Sequence, residues 1–360
     1  MIAVVGGAMA SVVIKMIPVK GEEERMGTGL GQQLYGEMDR QMADGTYGMT
    51  QMMQMMQMMQ ENDGQDKTGG GITEQAQAVQ TQEPERPEYD DIRVENRGCG
   101  FNIAKHLATE GHEVSYVSIV GNDPLGLAVI EDLKSCGIDA AGVRKVQGTT
   151  PIQVEMINIL GDIEGFKCND SLYSKFTPEI IDAASDVLGR ADVIVMDGSL
   201  PEDTAARVTE LYGDRDGVKI FFDPGNRFGG KKVEGILDKL YCVMPGRMEA
   251  EAMTGKTILG QDQLMEAGAY LDEKGVEKII ITMKGGGIYY KSGLNEGILR
   301  PERVLSFADT TGAGDIVSAA VIAGEIAGKQ IDEIAADAMA KAAEFLADLS
   351  DERPIDMLNK

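Results

Sequence analysis

Almost continuously apolar runs alternate with helix-length segments through most of the chain after residue 97. The runs VIVM, KIFF and KIIIT are separated by stretches such as TPEIIDAASDVLG and DTAARVTELYG, in which apolar residues recur at helical spacing. Strands that are buried on both faces have this continuous character, and parallel strands need helical crossovers between them. The pattern therefore predicts a mostly parallel sheet with helices on both faces.

Shorter elements precede this region. The pattern predicts a buried strand over Ile2 to Val5, a helix over 102–110, a strand over 112–120 and a helix over 124–135. Residues 151–160 and 165–173 alternate in polarity around Gly161, which predicts a hairpin. We expect this hairpin to belong to a smaller sheet beside the main one.

Residues 28–90 have a different composition from the rest. They contain MTQMMQMMQMMQENDGQ followed by a Gln-, Glu- and Pro-rich stretch. Such low-complexity sequence has too few branched apolar residues to build a core, which predicts a disordered or loosely helical insert. Copper binding by the methionine thioethers is a less favoured alternative, because neither cysteine nor histidine accompanies them.

Charge and cysteine content exclude several function classes. The formal net charge of −25 disfavours a nucleic-acid partner. The four cysteines are widely spaced and the two histidines are few, which argues against a zinc site, a disulfide framework or a Ser/His/Asp triad. No apolar stretch is long enough to span a membrane, and no basic region precedes the apolar start. We therefore expect a cytoplasmic protein with reduced thiols.

The stretch FADTTGAGDIVSAAV at 307–321 carries the clearest chemistry. A helix is predicted to begin near Ala313, which leaves the backbone N–H groups of Gly312, Ala313 and Gly314 free to bind an anion. Asp315 lies in the first turn, where the helix dipole favours its charged form. The turn can thus supply an anion hole and a weak base for phosphoryl transfer to a hydroxyl. On the turn alone, an aspartate that merely caps its own helix is an equal alternative.

Several segments, in order along the chain, resemble motifs of the ribokinase-like (PfkB) sugar and nucleoside kinases. DTTGAGD and the small-residue helix after it resemble the C-terminal signature of that family. The other matches are VVGGA (4–8), RGCGFNIAKHLA (97–108), VGNDPLG (120–126), FDPGNR (222–227), MPGRMEAE (244–251) and ITMKGGGIYY (281–290). The resemblance covers 1–27 and 91–360, and within the family it is strongest to the pseudouridine kinases.

This resemblance implies one α/β domain over 1–360, with a mostly parallel central sheet covered by helices on both faces. It also implies a small β-sheet lid from strands within 11–27, 91–97 and 149–173, which in this family often forms a dimer contact. Its ligands would be ATP with Mg²⁺, a sugar or nucleoside, and in several members K⁺. The implied roles are Asp315 as base; Gly312, Ala313 and Gly314 as anion hole; Gly7, Ser11, Gly98 and Asn102 facing the acceptor; Thr282, Gly285 and Gly287 lining the nucleotide; Glu249 holding Mg²⁺ through water; and Asp309 and Thr311 near a monovalent cation.

Four positions depart from the family pattern. Ser11 replaces the aspartate that usually grips sugar hydroxyls, and Arg97 replaces the first glycine of the N-terminal signature. Gly246 stands where an asparagine is usual, and Lys284 where a glycine is usual.

These departures affect binding more than the base, and they leave open which sugar or nucleoside is phosphorylated. Ribokinase, fructokinase and adenosine- or inosine-type kinases share most of the same motifs. The departures also support a second hypothesis, a kinase-fold binding protein with weak or no turnover. The favoured expectation is an ATP-dependent kinase that phosphorylates a hydroxymethyl group.

Overall fold

The computed structural model describes residues 1–16, 89–157, 163–225, 227–283, 285–301 and 312–351. The described residues within 1–15 and 91–351 belong to one compact unit. The predicted insert, up to residue 88, lies outside the described residues, as does its alternative copper site.

The described strands fall into two sheets. The main sheet has nine strands in the order β13-β12-β11-β10-β9-β8-β1-β4-β5, and the small sheet has four in the order β3-β2-β6-β7. Their bounds are β1 (Ile2–Val5), β2 (Met9–Met16), β3 (Tyr89–Arg97), β4 (Val114–Gly121), β5 (Asp139–Val146), β6 (Ile152–Ile157), β7 (Ile163–Asn169), β8 (Val193–Asp197), β9 (Lys219–Asp223), β10 (Cys242–Val243), β11 (Lys278–Met283), β12 (Gly287–Ser292) and β13 (Asn295–Leu299).

The main sheet is parallel from β5 to β11 and ends in the antiparallel strands β12 and β13. In the small sheet, β2 pairs parallel to β6, and β6 pairs antiparallel to β7. The pairing of β6 with β7 confirms the hairpin that the alternating polarity predicted. The mostly parallel sheet with a separate small sheet is likewise confirmed.

Helices cover both faces of the main sheet. Their bounds are α1 (Cys99–Thr109), α2 (Pro124–Ser135), α3 (Pro178–Ala183), α4 (Ser185–Leu188), α5 (Glu202–Tyr212), α6 (Arg227–Gly230), α7 (Arg247–Thr254), α8 (Gln261–Glu273), α9 (Ala313–Ile326) and α10 (Ile331–Asp351). Two 3₁₀ helices, Ser171–Lys175 and Lys231–Lys239, complete the described elements.

The core consists of two hydrophobic clusters, one on each face of the sheet. Ala3 and Val5 of β1 pack into the cluster that contains α3, α5 and α8, whereas Ile2 and Val4 pack into the cluster that contains α1, α2 and α9. Successive side chains of a strand point to opposite faces, so each strand contributes to both clusters. This double burial explains why the strands carry continuous apolar sequence.

The motif VGNDPLG spans the end of β4, the connection to α2 and the first residues of α2. Asp123 caps α2 by accepting a hydrogen bond from the Gly126 backbone N–H at 2.8 Å. Its other oxygen accepts one from the Thr150 N–H at 2.7 Å, which ties the start of α2 to the segment before β6. The helix predicted over 124–135 has those bounds in the structure.

Candidate active site

A cavity of about 340 Å³ lies at the carboxyl ends of β1, β8 and β9. Because these strands are parallel neighbours, the segments that follow them meet at the same edge of the sheet. The predicted site residues in the cavity lining are Gly7, Gly98, Asn102, Gly312, Gly314 and Asp315. The structure thus brings together one group from the N-terminal signature and one from the DTTGAGD turn, although about 210 residues separate them in the sequence.

The N-terminus of α9 forms one side of the cavity. Gly312 precedes the helix with a φ of 86°, a left-handed conformation that favours glycine. The helix begins at Ala313, as the sequence predicted. The first-turn N–H groups of an α-helix have no partner inside the helix, so this edge of the cavity is suited to an anion.

Asp315 presents its carboxylate to the cavity from the first turn of α9. The Asn102 side chain of α1 donates a hydrogen bond to its Oδ2 at 2.7 Å. Burial, followed by the negative charge of Asp223, raises the pKa of Asp315 to about 7. Burial and the neighbouring carboxylate act in the direction opposite to the helix dipole, which was expected to favour the charged form of Asp315.

Two further aspartates end the adjacent strands β8 and β9. Asp197 and Asp223 are directly paired in the strand register, and both are buried. Asp197 accepts hydrogen bonds from the N–H groups of Gly7 at 3.1 Å, Gly100 at 2.9 Å and Ser199 at 2.8 Å, and from the Ser199 hydroxyl. Asp197 therefore ties the turn after β1 to the start of α1.

Sequence reasoning missed Asp197 as a site residue. A usable signal was present, because VIVMD and KIFFD are two buried apolar strands that each end in an aspartate. Carboxyl ends of neighbouring parallel strands meet at one edge, and a pair of acidic residues there indicates a functional edge.

Asp223 and Cys99 lie directly beside Asp315. The ligand atoms of these three side chains lie within 4.8 Å of one another. Asp223 accepts a hydrogen bond from the Ser318 hydroxyl at 2.6 Å and from the Gly225 N–H at 2.8 Å, and burial raises its pKa to about 6. Burial, with the nearby carboxylates, raises the pKa of the Cys99 thiol well above its usual value, so the thiol is protonated at neutral pH.

The acceptor side of the cavity differs from the sequence-based expectation at one residue. Ser11 was predicted to contact the acceptor, but it is fully buried, and Gln153 lines the cavity in its place. The Gln153 amide donates to the Ser11 hydroxyl at 3.3 Å and to Glu155 at 3.1 Å. Ser11 is fully buried because β2 pairs with β6, which places Gln153 opposite Ser11.

The residues predicted for the nucleotide lie farther along the same edge of the sheet. Thr282 is the second-last residue of β11, and its backbone bridges to Gly246 at the start of α7. A Cβ atom on Gly246 would lie 2.4 Å from the Glu249 carboxylate, so the glycine allows Glu249 to fold over its own helix start. This carboxylate is a hard oxygen donor beside Thr282, which fits a water-mediated Mg²⁺; the thiol of Cys99 fits that ion poorly.

Gly285 and Gly287 both have positive φ values, 55° and 99°, in the turn between β11 and β12. A Cβ atom on Gly287 would lie 1.9 Å from the backbone oxygen of Leu299, so strand packing alone requires a glycine there. Lys284, Asp309 and Thr311 lie outside the described residues, and with them the predicted monovalent-cation site.

Comparison with known families shows which family the chain belongs to. A model of the pfkB family carbohydrate kinases matches residues 71–354, which is well over half of the chain. The chain belongs to the pfkB carbohydrate kinase family. It is therefore a phosphotransferase with an alcohol group as acceptor, a sugar or nucleoside kinase.

Individual relatives within the pfkB family have diverse acceptors. Pseudouridine kinase of Escherichia coli strain K12 is 25% identical over 229 residues, which cover 63% of this chain and 72% of that protein. Guanosine-inosine kinase of Exiguobacterium acetylicum is 25% identical over 260 residues, covering 71% and 85%. At this level of identity, the relatives establish the family and leave the acceptor open.

Solved structures confirm the ribokinase-like fold. Ribokinase of Arabidopsis thaliana, complexed with ribose and ATP, superposes with a TM-score of 0.65 at 19% identity, covering 95% of this chain and 90% of that one. Ribokinase of Thermotoga maritima gives a TM-score of 0.64 at 18% identity, covering 95% and 91%. Within the described ranges, none of the helices combines the length and hydrophobicity that crossing a membrane requires.

Proposed function

We propose that this kinase transfers the γ-phosphoryl group of ATP to a hydroxymethyl group of a ribonucleoside or pentose-like sugar, with pseudouridine as the first candidate. The observation that carries the proposal is Asp315, held by Asn102 at the N-terminus of α9 inside the cavity. A carboxylate with a pKa of about 7 is ionised in a large fraction of molecules at neutral pH and is basic enough to accept a proton.

In the proposed reaction, the acceptor oxygen forms a bond to the γ-phosphorus while the bond from that phosphorus to the β,γ-bridging oxygen of ATP breaks. Asp315 accepts the hydroxyl proton, and ADP leaves with the bond electrons. The N–H groups of Gly312, Ala313 and Gly314 stabilise the charge on the transferring group. Asn102 orients the carboxylate of Asp315.

Nucleotide and metal sites are proposed along the same sheet edge. Thr282, Gly285 and Gly287 would line the nucleotide, although Gly287 also has a packing role. Glu249 would hold Mg²⁺ through water, and Mg²⁺ bound with ATP supplies neutralisation of phosphate charge. Asp309 and Thr311 are proposed to lie near a K⁺-type cation.

Other parts of the proposal concern the whole chain. We propose that 1–360 is a single kinase domain in which strands β2, β3, β6 and β7 form a lid, with a homodimer contact through that lid. A cytoplasmic location belongs to the same proposal. The hydrogen bond between Asn102 and Asp315 supports turnover over the alternative of a non-catalytic binding protein, because it presents the base to the cavity although Arg97 lines the same cavity.

A substrate screen tests the proposed function. ATP consumption would be measured with Mg²⁺ and each of pseudouridine, uridine, inosine, adenosine, ribose and fructose. We expect acceptor-dependent ADP formation, with a nucleoside preferred over the free sugars. An absence of turnover with every neutral sugar and nucleoside would favour the binding-protein alternative.

A further inference from the structure

Tyr173 brings an unsatisfied hydroxyl group to the cavity. It lies in the 3₁₀ helix Ser171–Lys175, directly after β7 of the small sheet, and it lines the cavity. The residue is 6% exposed, and its hydroxyl oxygen is buried without a hydrogen-bond partner in the described part of the chain. A buried hydroxyl in that state costs free energy, so a ligand that provides a partner gains from it.

The described surroundings of Tyr173 place other polar groups near its hydroxyl, but these have partners of their own. The hydroxyl packs on the turn after β1, where a Cβ atom on Gly7 would lie 2.6 Å from its oxygen. In that turn the Gly7 N–H donates to Asp197, and the Gly7 carbonyl accepts from Tyr116 at 2.9 Å.

Asp197 lines the same cavity, and its acceptor positions are occupied. It accepts three backbone N–H groups and one hydroxyl, which matches the four lone-pair positions of a carboxylate. Among the described residues, the Tyr173 hydroxyl is therefore a donor in the cavity lining that has no partner of its own.

The charges that face the cavity select against an anionic ligand. Asp197 and Asp315 line it, and Asp223 lies directly beside Asp315. Among the described residues the cation in the lining is Arg97, which is 3.1 Å from Glu95 and 3.6 Å from Glu155. Because both carboxylates neutralise Arg97, a phosphate or carboxylate on the acceptor would meet net negative charge.

Burial, together with Asp197, raises the pKa of Tyr173 well above its usual value. The phenol therefore stays protonated at physiological pH and remains a donor.

We propose that Tyr173 is a specificity-determining residue whose hydroxyl donates a hydrogen bond to an oxygen of a neutral, polyhydroxylated acceptor. The acceptor class is thus an uncharged sugar or nucleoside, as opposed to a sugar phosphate or a sugar acid. This inference rests on the proposed kinase function and adds the residue that recognises the acceptor and the charge that the acceptor carries.

Tyr173→Phe tests the contact, because it keeps the ring and removes only the hydroxyl. With the best acceptor from the screen, we expect KM for that acceptor to rise roughly tenfold while kcat and KM for ATP stay within about twofold. Deoxy analogues of the acceptor identify the hydroxyl that Tyr173 contacts. With the wild-type enzyme, the analogue that lacks this hydroxyl should have a KM about as high as that of the full acceptor with Tyr173→Phe. With Tyr173→Phe, the same analogue and the full acceptor should have equal KM values.

Thermal unfolding separates recognition from a structural role. Tyr173→Phe removes an unpaired buried hydroxyl, so the melting temperature of the free protein should not fall. As a control, Tyr241→Phe removes a partly buried hydroxyl that donates to Glu325 at the opposite end of α9. We expect this control to melt at a lower temperature and to keep its acceptor KM.

An unchanged acceptor KM in Tyr173→Phe would overturn the inference. So would a rise in KM that is the same in both enzymes for every deoxy analogue. A preference for ribose 1-phosphate over ribose would also overturn it. Acceptor-induced stabilisation, measured by the melting temperature with each acceptor added, tests the contact without turnover. Stabilisation of the wild type that shrinks in Tyr173→Phe would support the contact even if no phosphate is transferred. Turnover with no difference between the two enzymes would support the kinase and contradict only the role of Tyr173.

Discussion

At the scale of single residues, the decisive feature is the environment of Asp315. Burial and Asp223 raise the pKa of its carboxyl, and the hydrogen bond from Asn102 lowers it. The balance leaves a base that changes its charge near neutral pH, where a typical aspartate is fully ionised. The neighbours of Asp315 therefore set the pH range in which the base works.

The pH dependence of kcat/KM should report this balance. Because the base must be deprotonated, kcat/KM should fall as the pH falls through about 7, and the apparent pKa belongs to the coupled pair of Asp315 and Asp223. Asp223→Asn removes a negative charge and should move the acidic limb to lower pH. Asn102→Leu removes a donor to the carboxylate and should move the limb to higher pH. A limb near pH 4, or shifts of both variants in one direction, would contradict this description.

Sequence reasoning identified the residues of this site that belong to local motifs. Asp315 and the glycines before it share one turn, and Asn102 lies in a second recognisable segment. Asp197 and Tyr173 were missed because their roles depend on contacts between distant segments. The pKa of Asp315 could not be predicted either, because Asp223 comes from a strand about ninety residues earlier.

At the scale of elements, α9 runs along the main sheet from the carboxyl ends of the strands to their amino ends. Its N-terminus lies at the cavity, and Glu325, near its C-terminus, lies beside the first residues of β9 and β11. Lys219 and Lys278 each form an ion pair with Glu325 at 2.5 Å, and the Tyr241 hydroxyl donates to it. The side chains of Glu325 and Lys278 are only 7% and 16% exposed, so water screens this pair little.

Replacing Glu325 should destabilise the fold and leave the catalytic site intact. Glu325→Ala leaves Lys278 partly buried without its counter-ion, which we expect to lower the free energy of unfolding by about 3 kcal/mol. Denaturant unfolding checks the magnitude. Asp337→Ala is the matched control, because the Lys329–Asp337 pair is exposed and should contribute less than about 1 kcal/mol.

The direction of the pH effect at Glu325 follows from its partners. Its pKa is lowered below the usual value by hydrogen bonds from the lysines and the tyrosine, although burial opposes them. Its contribution to stability is therefore present above the unfolded-state pKa and is lost as the pH falls through the lowered folded-state pKa. Equal stability of Glu325→Ala and Asp337→Ala at neutral pH would contradict a structural role for this cluster.

Element positions were well predicted where an element has one strongly apolar face. The helix over 124–135 has a clear cap at Asp123 and a clear end, and the structure reproduces it. β13 (Asn295–Leu299) was missed, because an edge strand with half-exposed polar positions carries no apolar run. Its place depends on pairing with β12, a tertiary contact that local pattern does not encode.

At the scale of the whole molecule, the main sheet could be predicted because strands buried on both faces have a continuous apolar sequence. The order of the strands could not be predicted, because strand register and the path of each crossover helix depend on which segments pack together. In the small sheet, β2 and β3 are neighbours on either side of the segment 17–88. Neighbouring strands allow that segment to be long at little entropic cost.

We therefore expect the low-complexity segment to be dispensable for folding. Replacing residues 28–88 by a short Gly/Ser linker should leave the melting temperature within about 3 °C and kcat/KM within about threefold, because loop-closure entropy changes slowly with length. Thermal unfolding and steady-state kinetics check both values. Loss of folding or a large drop in kcat would instead show that the segment contributes to the kinase.

The central claim is that Asp315 removes the acceptor proton in phosphoryl transfer. The most direct measurement compares Asp315→Ala with the wild type in acceptor-dependent ADP formation and in ATP affinity by calorimetric titration. We predict that turnover falls by a factor of roughly a thousand or more while the Kd for ATP changes less than about threefold. Turnover of Asp315→Ala at the wild-type rate would contradict the mechanism.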